Sequence, residues 1–400
     1  MIRRSMEPRL RDAARTSPVV VLTGPRQSGK TTLARAVFPG HAYVSLEPLD
    51  QRAYATEDPR GFLRGLRGGA VLDEVQHVPE LFSYLQEEVD RDPTPGRFVL
   101  TGSENFSLSG RVSQSLAGRA AMLVLLPPTY DELREFEDAP SDLFELLVRG
   151  SFPRPYDRGI PSHRWLSDYV TTYLERDVRS ALGVTDLIAF RSFLALLAGR
   201  TAQEWNASQL GVDVGITHPT ATRWLSVLEA SYLSLRVPPL HRNLRKRLVK
   251  APKVHLLDSG LACTLLGIET AHQLEHHPLR GAIFESWVVS EILKTILNEG
   301  ATPRLFHYRD KTKLEVDLVV ERPDLLSLIE MKSGATYQSG FADSLREVAR
   351  ALSASEPSTR IASYVVYGGD ARYERTDVTV VPWAEVGAIA RAQGEGRLET

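Results

Sequence analysis

The chain has 400 residues, of which 42% are hydrophobic and 24% are charged, and its formal net charge is −2 at pH 7. This much apolar material excludes a mostly disordered chain, and a length well above the roughly 100–200 residues of an average domain indicates two or three domains. The near-zero net charge excludes a uniformly basic protein, so any nucleic-acid-binding surface has to be a local patch.

Cysteine content and apolar runs bear on the cellular compartment. The single cysteine, Cys263, cannot form an internal disulfide and lies in the apolar segment 260–266, which is typical of a small buried side chain. The first residues, Met-Ile-Arg-Arg-Ser-Met-Glu-Pro, lack the apolar segment of a secretory signal, and no apolar run approaches the roughly 18 residues that span a bilayer. We therefore expect a cytoplasmic protein with no membrane partner.

The first predicted elements alternate as they do in a parallel α/β sheet. A β-branched run at 19–22 is followed by a glycine-rich turn and by helical spacing over 30–38. Apolar runs at 70–72 and 97–101 predict two further strands, and the amphipathic segment 79–89 predicts a helix that covers the sheet.

The turn after the first predicted strand carries a phosphate-binding pattern. Residues 24–31, Gly-Pro-Arg-Gln-Ser-Gly-Lys-Thr, match G-x-x-x-x-G-K-[ST] between a strand and a helix. Backbone N–H groups would surround the β-phosphate of ATP, Lys30 would reach the β- and γ-phosphates, and the Thr31 hydroxyl would ligate Mg²⁺. The alternative is a glycine-rich turn that only begins a helix. The residues of this segment predicted to contact the nucleotide are Gly24, Pro25, Arg26, Gln27, Ser28, Gly29, Lys30, Thr31 and Thr32.

Two adjacent acids follow the second predicted strand. ATP hydrolysis needs one carboxylate that holds Mg²⁺ and a second one that orients the attacking water. We assign Asp73 to the metal and Glu74 to activation of the water. The alternative is a pair of acids in an exposed turn, and the presence of the glycine-rich loop favours the catalytic interpretation.

Residues near the third predicted strand offer two more roles at the γ-phosphate. We expect Ser103 or Asn105 to act as a sensor of the γ-phosphate. An arginine from a neighbouring subunit often neutralises charge at this place, and Arg119 is the candidate for this catalytic role, with Arg111 as the alternative. The competing interpretation of either arginine is a solvated surface side chain.

The middle of the chain, residues 162–232, is expected to form consecutive helices with no clear strand. Segments 189–199, 206–210 and 219–230 predict three helices of a winged helix-turn-helix. The basic segment 241–253 contains no acid and would form a phosphate-binding wing. The alternatives are three purely structural helices and a solvated hairpin or protein-docking surface. The predicted DNA-contacting residues are Thr220, Thr222, Arg223, Arg242, Arg245, Lys246, Arg247 and Lys250.

The last part of the chain predicts an α/β unit of a different order. A helical pattern begins at Gly281 and precedes strands at 314–320 and 326–331. Carboxylates on adjacent strands, here Asp317 and Glu330, can bind a second Mg²⁺ while a lysine on the same face positions water. The unit resembles the PD-(D/E)xK nuclease fold, and whether it cleaves DNA or is an inert platform stays open. The candidate nuclease residues are Glu285, Asp317, Glu330 and Lys332.

The order of these motifs resembles a large group of prokaryotic AAA+-type ATPases. The resemblance rests on the segments 24–31, 72–76, 100–103 and 115–119, and it continues in Gly150-Ser-Phe-Pro153, Tyr173–Asp177, Lys253–Gly260, Gly281–Glu285 and Leu314–Asp317, which look like that group's C-terminal domain of unknown function. It implies a ring, hexameric in that group, with Arg119 acting in trans. The segment 103–106 departs from the serine-rich turn of the group, which bears on the sensor assignment.

These observations predict an α/β multidomain protein that uses ATP and Mg²⁺. The leading hypothesis is a DNA-binding AAA+-type ATPase that moves along or remodels DNA, including branched, Holliday-type DNA. The alternatives are an ATP-dependent switch that docks a protein partner or a defence effector, and an ATP-gated nuclease. The sequence leaves open the preferred DNA structure, the direction of movement, the ring size and the pathway. The expected domains are 1–128 (P-loop ATPase), 129–188 (helical linker or lid), 189–260 (winged helix-turn-helix) and 261–400 (nuclease-like).

Overall fold

A computed structural model describes residues 2–103, 115–174, 186–240, 251–311, 313–355 and 357–391. The chain divides into two compact units. One comprises Met1–Pro128, Ala230–Tyr232 and Leu297–Ala301, and the other comprises Thr129–Glu229, Leu233–Ile296 and Thr302–Thr400. In the part of the chain that the structure describes, no helix has the length and apolar character needed to cross a membrane.

The first unit is built on a five-stranded parallel sheet with the strand order β2-β3-β4-β1-β5. Successive side chains of a strand point to opposite faces, so Val19 and Val21 pack in one core cluster while Val20 and Leu22 pack in another. A sheet covered on both faces needs continuous apolar strands, which explains the unbroken apolar run from Val19 to Leu22 in β1. The strands are β1 (Val19–Thr23), β2 (Ala42–Ser45), β3 (Ala70–Asp73), β4 (Phe98–Thr101) and β5 (Ala120–Val124).

Helices connect these strands on both faces, and the predicted parallel α/β sheet is confirmed. The strand order places β3, β4 and β1 side by side, so their carboxyl ends meet at one edge of the sheet. Ligands of open α/β sheets bind outside the carboxyl ends of the strands. The helices are α1 (Glu7–Thr16), α2 (Lys30–Val37), α3 (Leu49–Glu57), α4 (Pro59–Arg64) and α5 (Leu81–Arg91), with a short 3₁₀ turn at Val75–His77.

The second unit begins with short helices and continues into three helices and a small antiparallel sheet. The ring of Trp224 lies nearly perpendicular to the rings of Phe190 and Phe193, at 87° and 79°, in the core of the three helices. The helices are α6 (Tyr130–Leu133), α7 (Leu143–Arg149), α8 (Pro153–Arg158), α9 (Ser162–Tyr169), α10 (Leu187–Ala198), α11 (Ala207–Val214) and α12 (His218–Ala230), with a π-helical turn at Val170–Leu174.

The expectation of no strand over 162–232 is wrong in one place. Gln203–Glu204 forms the edge strand β6 and pairs with Lys253–Val254. Two polar, exposed residues carry no alternation of apolar side chains, so the hydrophobic pattern could not reveal this strand. The sheet has the order β6-β8-β7, in which β7 is Ser234–Val237 and β8 is Lys253–Leu256.

A mixed six-stranded sheet forms the last part of the second unit, in the order β13-β14-β12-β11-β10-β9. The two predicted strands are present as β10 (Glu315–Arg322) and β11 (Leu325–Lys332), and they pair antiparallel with Leu318 opposite Ile329. The remaining strands are β9 (Leu305–Arg309), β12 (Arg360–Tyr367), β13 (Tyr373–Glu374) and β14 (Thr379–Pro382). The helices are α13 (Ser259–Leu265), α14 (Ala271–Glu275), α15 (Arg280–Asn298), α16 (Asp343–Ser355) and α17 (Val386–Arg391), with 3₁₀ turns at Ser339–Ala342 and Trp383–Glu385.

A buried polar network joins four segments of the second unit. Asp258 accepts hydrogen bonds from the backbone N–H and the hydroxyl of Ser151, at 2.8 and 2.9 Å. Lys294 donates to the Ser151 hydroxyl at 3.0 Å and to Glu291 at 2.8 Å, and Glu291 accepts from the backbone N–H of Tyr130 at 2.8 Å. Buried polar groups are tolerated when they are satisfied in this way. The Gly-Ser-Phe-Pro and Leu-Asp-Ser-Gly motifs therefore have a structural role here.

Candidate nucleotide site and a second carboxylate cluster

The loop between β1 and α2 has the backbone conformation of a phosphate-binding turn. Gly24 has a φ of 144°, and a Cβ atom at this position would lie 2.1 Å from the carbonyl oxygen of Leu125. Gly29, with a φ of 95°, lies directly before the helix. Only glycine fits the first position without a clash and without strain. The two fixed glycines of the pattern are thus explained by the path of the backbone.

Arg4, near the start of the chain, binds the backbone of this loop. The Arg4 guanidinium is buried and donates to the carbonyl oxygens of Ser28, at 2.8 Å, and of Leu126, at 2.7 Å. A trans peptide directs its C=O and N–H in opposite directions, so the N–H of Gly29 points away from Arg4. Sequence reasoning missed this residue because no local pattern connects residue 4 with residue 28.

Lys30 lies inside the bend of the loop. Its Nζ donates to the carbonyl oxygens of Gly24, at 3.0 Å, and Pro25, at 2.8 Å. Burial lowers the pKa of this ammonium to about 8, and the nearby carboxylates of Glu74 and Asp73 offset part of that effect. An anionic phosphate group would relieve the cost of burying this charge.

The carboxylate of Asp73 is surrounded by hydroxyl groups. Its Oδ1 accepts from the Thr31 hydroxyl at 2.9 Å and from the Thr101 hydroxyl, and its Oδ2 accepts from Tyr43 at 2.9 Å. Partial burial and the charge of Asp73 raise the pKa of Tyr43 to about 12. Sequence reasoning predicted that Thr31 and Asp73 lie together, but it missed Tyr43 and Thr101. Hydroxyl and carboxylate oxygens are the ligands that Mg²⁺ prefers, so this donor set fits that cation.

Glu74 has an unusual backbone conformation directly after β3. Its φ is 55°, in the left-handed region, and its carboxylate accepts a hydrogen bond from the Gln76 amide. A non-glycine residue in this region costs of the order of 1 kcal/mol or more and is concentrated at functional sites. The strain is consistent with the catalytic role predicted for Glu74, which stays a prediction.

The two residues assigned to the γ-phosphate have different surroundings. The Ser103 hydroxyl is buried and has no hydrogen-bond partner among the described residues. Arg119 forms an ion pair with Asp90, at 2.5 and 2.9 Å, so an action in trans would require it to leave that partner. The alternatives, Asn105 and Arg111, lie outside the described residues.

The predicted DNA-contacting residues are only partly described. On α12, Arg223 is exposed, whereas Thr220 and Thr222 are half-buried. The Thr220 hydroxyl lies 2.9 Å from that of Thr217, near the start of the helix. The basic residues Arg242, Arg245, Lys246, Arg247 and Lys250 lie outside the described residues.

The candidate nuclease residues come together on α15, β10 and β11. Asp317 accepts from the backbone N–H of Met331 at 2.9 Å, and Lys332 lies 2.6 Å from the Glu330 carboxylate. Burial and the charge of Asp317 raise the pKa values of Glu285 and Glu330 above the usual range of a carboxyl group. The predicted residues thus lie on one helix and two paired strands. Cleavage of DNA by these residues stays a prediction.

Lys253, the last residue of the predicted basic segment 241–253, lies within this cluster. The Nζ of Lys253 is 3.0 Å from Glu285, 2.8 Å from Glu315 and 3.8 Å from Asp317. Its side chain is only 6% exposed, so it is not available to bind a DNA phosphate. Burial opposes the charge on Lys253, but the three carboxylates outweigh that effect and raise its pKa. Lys253 is the first residue of β8, and all four residues of that strand are buried.

Family models match three parts of the chain. Residues 16–134 match a family described as an AAA domain, which covers the loop, Asp73 and Arg119. Residues 140–272 and 280–386 match two domains of unknown function, DUF8612 and DUF4143.

The Walker-type ATPase PABY2304 of Pyrococcus abyssi, a solved structure, is 16% identical with a TM-score of 0.46, over 65% of this chain and 94% of that chain. The Holliday junction branch migration motor RuvB of Thermotoga maritima is 21% identical with a TM-score of 0.31, over 61% and 93%. Structural similarities this low do not support an assignment of function.

Two curated proteins match almost the whole chain. The uncharacterized proteins Rv2008c of Mycobacterium tuberculosis and Mb2031c of Mycobacterium bovis are each 33% identical over 384 residues, which is 94% of this chain and 82% of their own length. The chain therefore belongs to the same family as these two mycobacterial proteins, and its first domain is a P-loop domain of the AAA type.

Proposed function

We propose that this protein is a Mg²⁺-dependent ATPase. The observation that carries the proposal is the 2.9 Å hydrogen bond between the Thr31 hydroxyl and Asp73, beside the buried ammonium of Lys30. In a bound complex Thr31 and Asp73 would hold Mg²⁺, which supplies charge neutralisation at the phosphates. Lys30 would exchange its two loop carbonyls for phosphate oxygens, and Glu74 would orient the attacking water.

The test of this proposal removes the ammonium. Lys30→Ala should abolish ATP hydrolysis, a loss of at least about a hundredfold, because the site then lacks a positive charge that is fixed before the nucleotide binds. DNA binding by the same variant should be unchanged, which serves as a control for folding. Turnover at the parent rate in Lys30→Ala would reject the site.

We also propose that the ATPase acts on DNA. The support is the arrangement of α10, α11 and α12 beside the antiparallel strands β7 and β8, which is the element set of a winged helix-turn-helix. The basic residues at 241–250 connect those two strands in the sequence, where a wing would present them to phosphates. A hexameric ring in which Arg119 completes a neighbouring site belongs to the same proposal.

DNA-stimulated ATP turnover tests this second step. We expect hydrolysis to rise with single-stranded, duplex or four-way junction DNA, and the most effective of the three identifies the substrate. Replacing Arg245, Lys246 and Arg247 by alanine should weaken DNA binding and flatten its salt dependence, since each phosphate contact releases counterions. The control is removal of three exposed arginines elsewhere, at Arg64, Arg67 and Arg158. A rate of ATP hydrolysis that none of the three DNAs changes would favour an ATP-dependent switch that docks a protein partner.

A further inference from the structure

Arg4 lies outside the part of the chain that matches the AAA domain family, because that match begins at residue 16. The helix that follows Arg4, α1, is fixed to the two elements that flank the phosphate-binding loop. Leu10 of this helix is fully buried and packs in one core cluster with Leu22 of β1 and Leu33 of α2. Burial of these apolar side chains therefore holds the N-terminal segment beside the loop.

The Arg4 guanidinium bridges two backbone segments that are far apart in the sequence. Its Nη1 donates to the carbonyl oxygen of Ser28 at 2.8 Å, and its Nη2 donates to that of Leu126 at 2.7 Å. Ser28 belongs to the loop, whereas Leu126 follows strand β5. The planar fork of a guanidinium fixes the direction of both bonds, whereas an ammonium is a point charge that leaves this direction free. The bridge thus sets the orientation of the peptide between Ser28 and Gly29.

The same contact makes the N–H of Gly29 a stronger donor. This N–H points away from the arginine, since it lies opposite the carbonyl of its own trans peptide. A Cβ atom at Gly29 would lie 3.5 Å from the Arg4 Nη1, so the guanidinium packs against this part of the loop. A bond from a cation to a carbonyl is stronger than one between neutral groups, and hydrogen bonds in series polarise one another. A phosphate that accepts from Gly29 would therefore bind more tightly because of Arg4.

Burial of Arg4 has an energetic cost that a bound anion would offset. The residue is only 7% exposed, and a guanidinium loses favourable hydration when it is buried. A phosphate on the far side of the Ser28–Gly29 peptide would recover part of that free energy through its attraction to the positive charge. The nucleotide and the arginine thus stabilise each other across the loop.

We propose that Arg4 is a positioning residue of the nucleotide site, which holds and polarises the Ser28–Gly29 peptide so that the Gly29 N–H donates to the β-phosphate. The inference rests on the proposed ATPase function. It extends the nucleotide site to a segment that precedes the matched AAA domain. Arg4 acts through the peptide and does not touch the nucleotide.

Equilibrium binding of MgADP and MgATP to the full chain tests the proposal. Arg4→Met keeps an unbranched side chain in the buried position but removes the charge and both donors. This variant should bind each nucleotide at least about tenfold more weakly than the parent, because both nucleotides carry the β-phosphate. Arg15→Met is the matched control, since Arg15 lies on α1 in an exposed ion pair with Asp12, and its affinities should equal those of the parent. Parent affinities in Arg4→Met would overturn the proposal.

Phosphorus NMR of bound MgADP separates a positioning role from a purely structural one. At saturating MgADP, Arg4→Met should move the β-phosphorus resonance toward its position in free MgADP and leave the α-phosphorus resonance of the bound nucleotide unchanged. A loosened fold without a positioning role would not act on one phosphate alone. An unchanged β-phosphorus resonance in Arg4→Met would contradict the proposal.

Arg4→Lys decides the question if Arg4→Met does not fold. This variant keeps the positive charge but lacks the planar fork, so its affinity for MgADP should lie between those of the parent and Arg4→Met. Its β-phosphorus resonance should move in the same direction by a smaller amount. Parent values of both the affinity and the resonance in Arg4→Lys would reject the role of the fork and overturn the proposal.

Failure of this inference is distinguishable from failure of the ATPase proposal. A parent chain that hydrolyses ATP, with Arg4→Met binding MgADP as tightly as the parent does, contradicts only the role of Arg4. A parent chain that binds neither nucleotide contradicts the nucleotide site itself.

Discussion

Two strand carboxylates, Asp73 at the end of β3 and Asp317 near the start of β10, have different neighbours. Asp73 accepts hydrogen bonds from three hydroxyl groups, which are neutral. Asp317 faces the ammonium of Lys253. A carboxylate held by neutral donors keeps its full negative charge for an incoming cation, whereas one paired with a lysine has already been neutralised. The same residue type therefore has neutral donors as partners in one unit and an ammonium as its partner in the other.

Breaking the ion pair at Lys253 should give the largest effect on stability. Lys253→Met leaves Glu285, Asp317 and the partly exposed Glu315 without their cation. Removing one partner of a buried pair costs about 3–5 kcal/mol of unfolding free energy. Urea denaturation of the metal-free chain measures it. Lys332→Met is the control, with an expected loss of about 1 kcal/mol or less for a partly exposed pair. Equal losses of unfolding free energy in the two variants would show that the ion pairs of Lys253 stabilise the fold no more than the partly exposed pair of Lys332 does.

The comparison between the two acids is tested next by parallel substitutions. Asp73→Asn keeps one acceptor oxygen for the threonine hydroxyls, replaces the other oxygen by an NH₂ group that cannot accept from Tyr43, and lacks the charge for Mg²⁺. ATP turnover should therefore fall about 10²–10³-fold. Asp317→Asn should leave ATP turnover within about twofold of the parent, because the ATPase does not use that site. Steady-state assays measure the rate of ATP hydrolysis in both variants. A large loss of this rate in Asp317→Asn would mean that ATP hydrolysis depends on Asp317.

A smaller effect is expected from pH at the nucleotide site. The pKa of Lys30 is about 8 in the nucleotide-free protein, well below its usual value, and a triphosphate favours the protonated form. Raising the pH above 8 therefore removes a proton that ATP binding must restore, and the affinity for ATP should fall by up to about tenfold per pH unit. Between pH 8 and the unfolded value of 10.5 the unfolded chain binds more protons, so the stability contribution of Lys30 rises with pH in that window.

Calorimetry in two buffers of different ionisation enthalpy measures this proton uptake directly. The expected result is uptake by the parent at pH 8.5 and none by Lys30→Ala under conditions in which both bind nucleotide. An affinity for ATP that is flat from pH 7 to 9 would show that the Lys30 ammonium does not govern binding.

The sequence predicted those parts of the structure that depend on local patterns. The loop at 24–31 and the acids at 73 and 74 are short motifs next to strongly apolar strands, and both the pattern and the strand follow from consecutive residues. The antiparallel pair β10 and β11 was predictable for the same reason, because its apolar runs are long. The fold class of several α/β domains followed from these elements.

The missed residues share a different property, which is that their partners are distant in the chain. Arg4 binds the carbonyl of Leu126, and Lys253 binds Glu315, and no spacing rule connects residues so far apart. Lys253 ends the basic segment 241–253 in the sequence, and only its place at the start of β8 shows that its side chain is buried. Long-range ion pairs of this kind are decided by packing, which composition and periodicity do not contain.

Equilibrium binding of labelled ATP with saturating Mg²⁺ tests the central claim most directly. The geometry of Lys30, Thr31 and Asp73 predicts one ATP bound per chain in the parent and strongly weakened binding in Lys30→Ala, with Lys253→Met equal to the parent. A folded parent chain that takes up no ATP under these conditions would contradict the assignment of the nucleotide site.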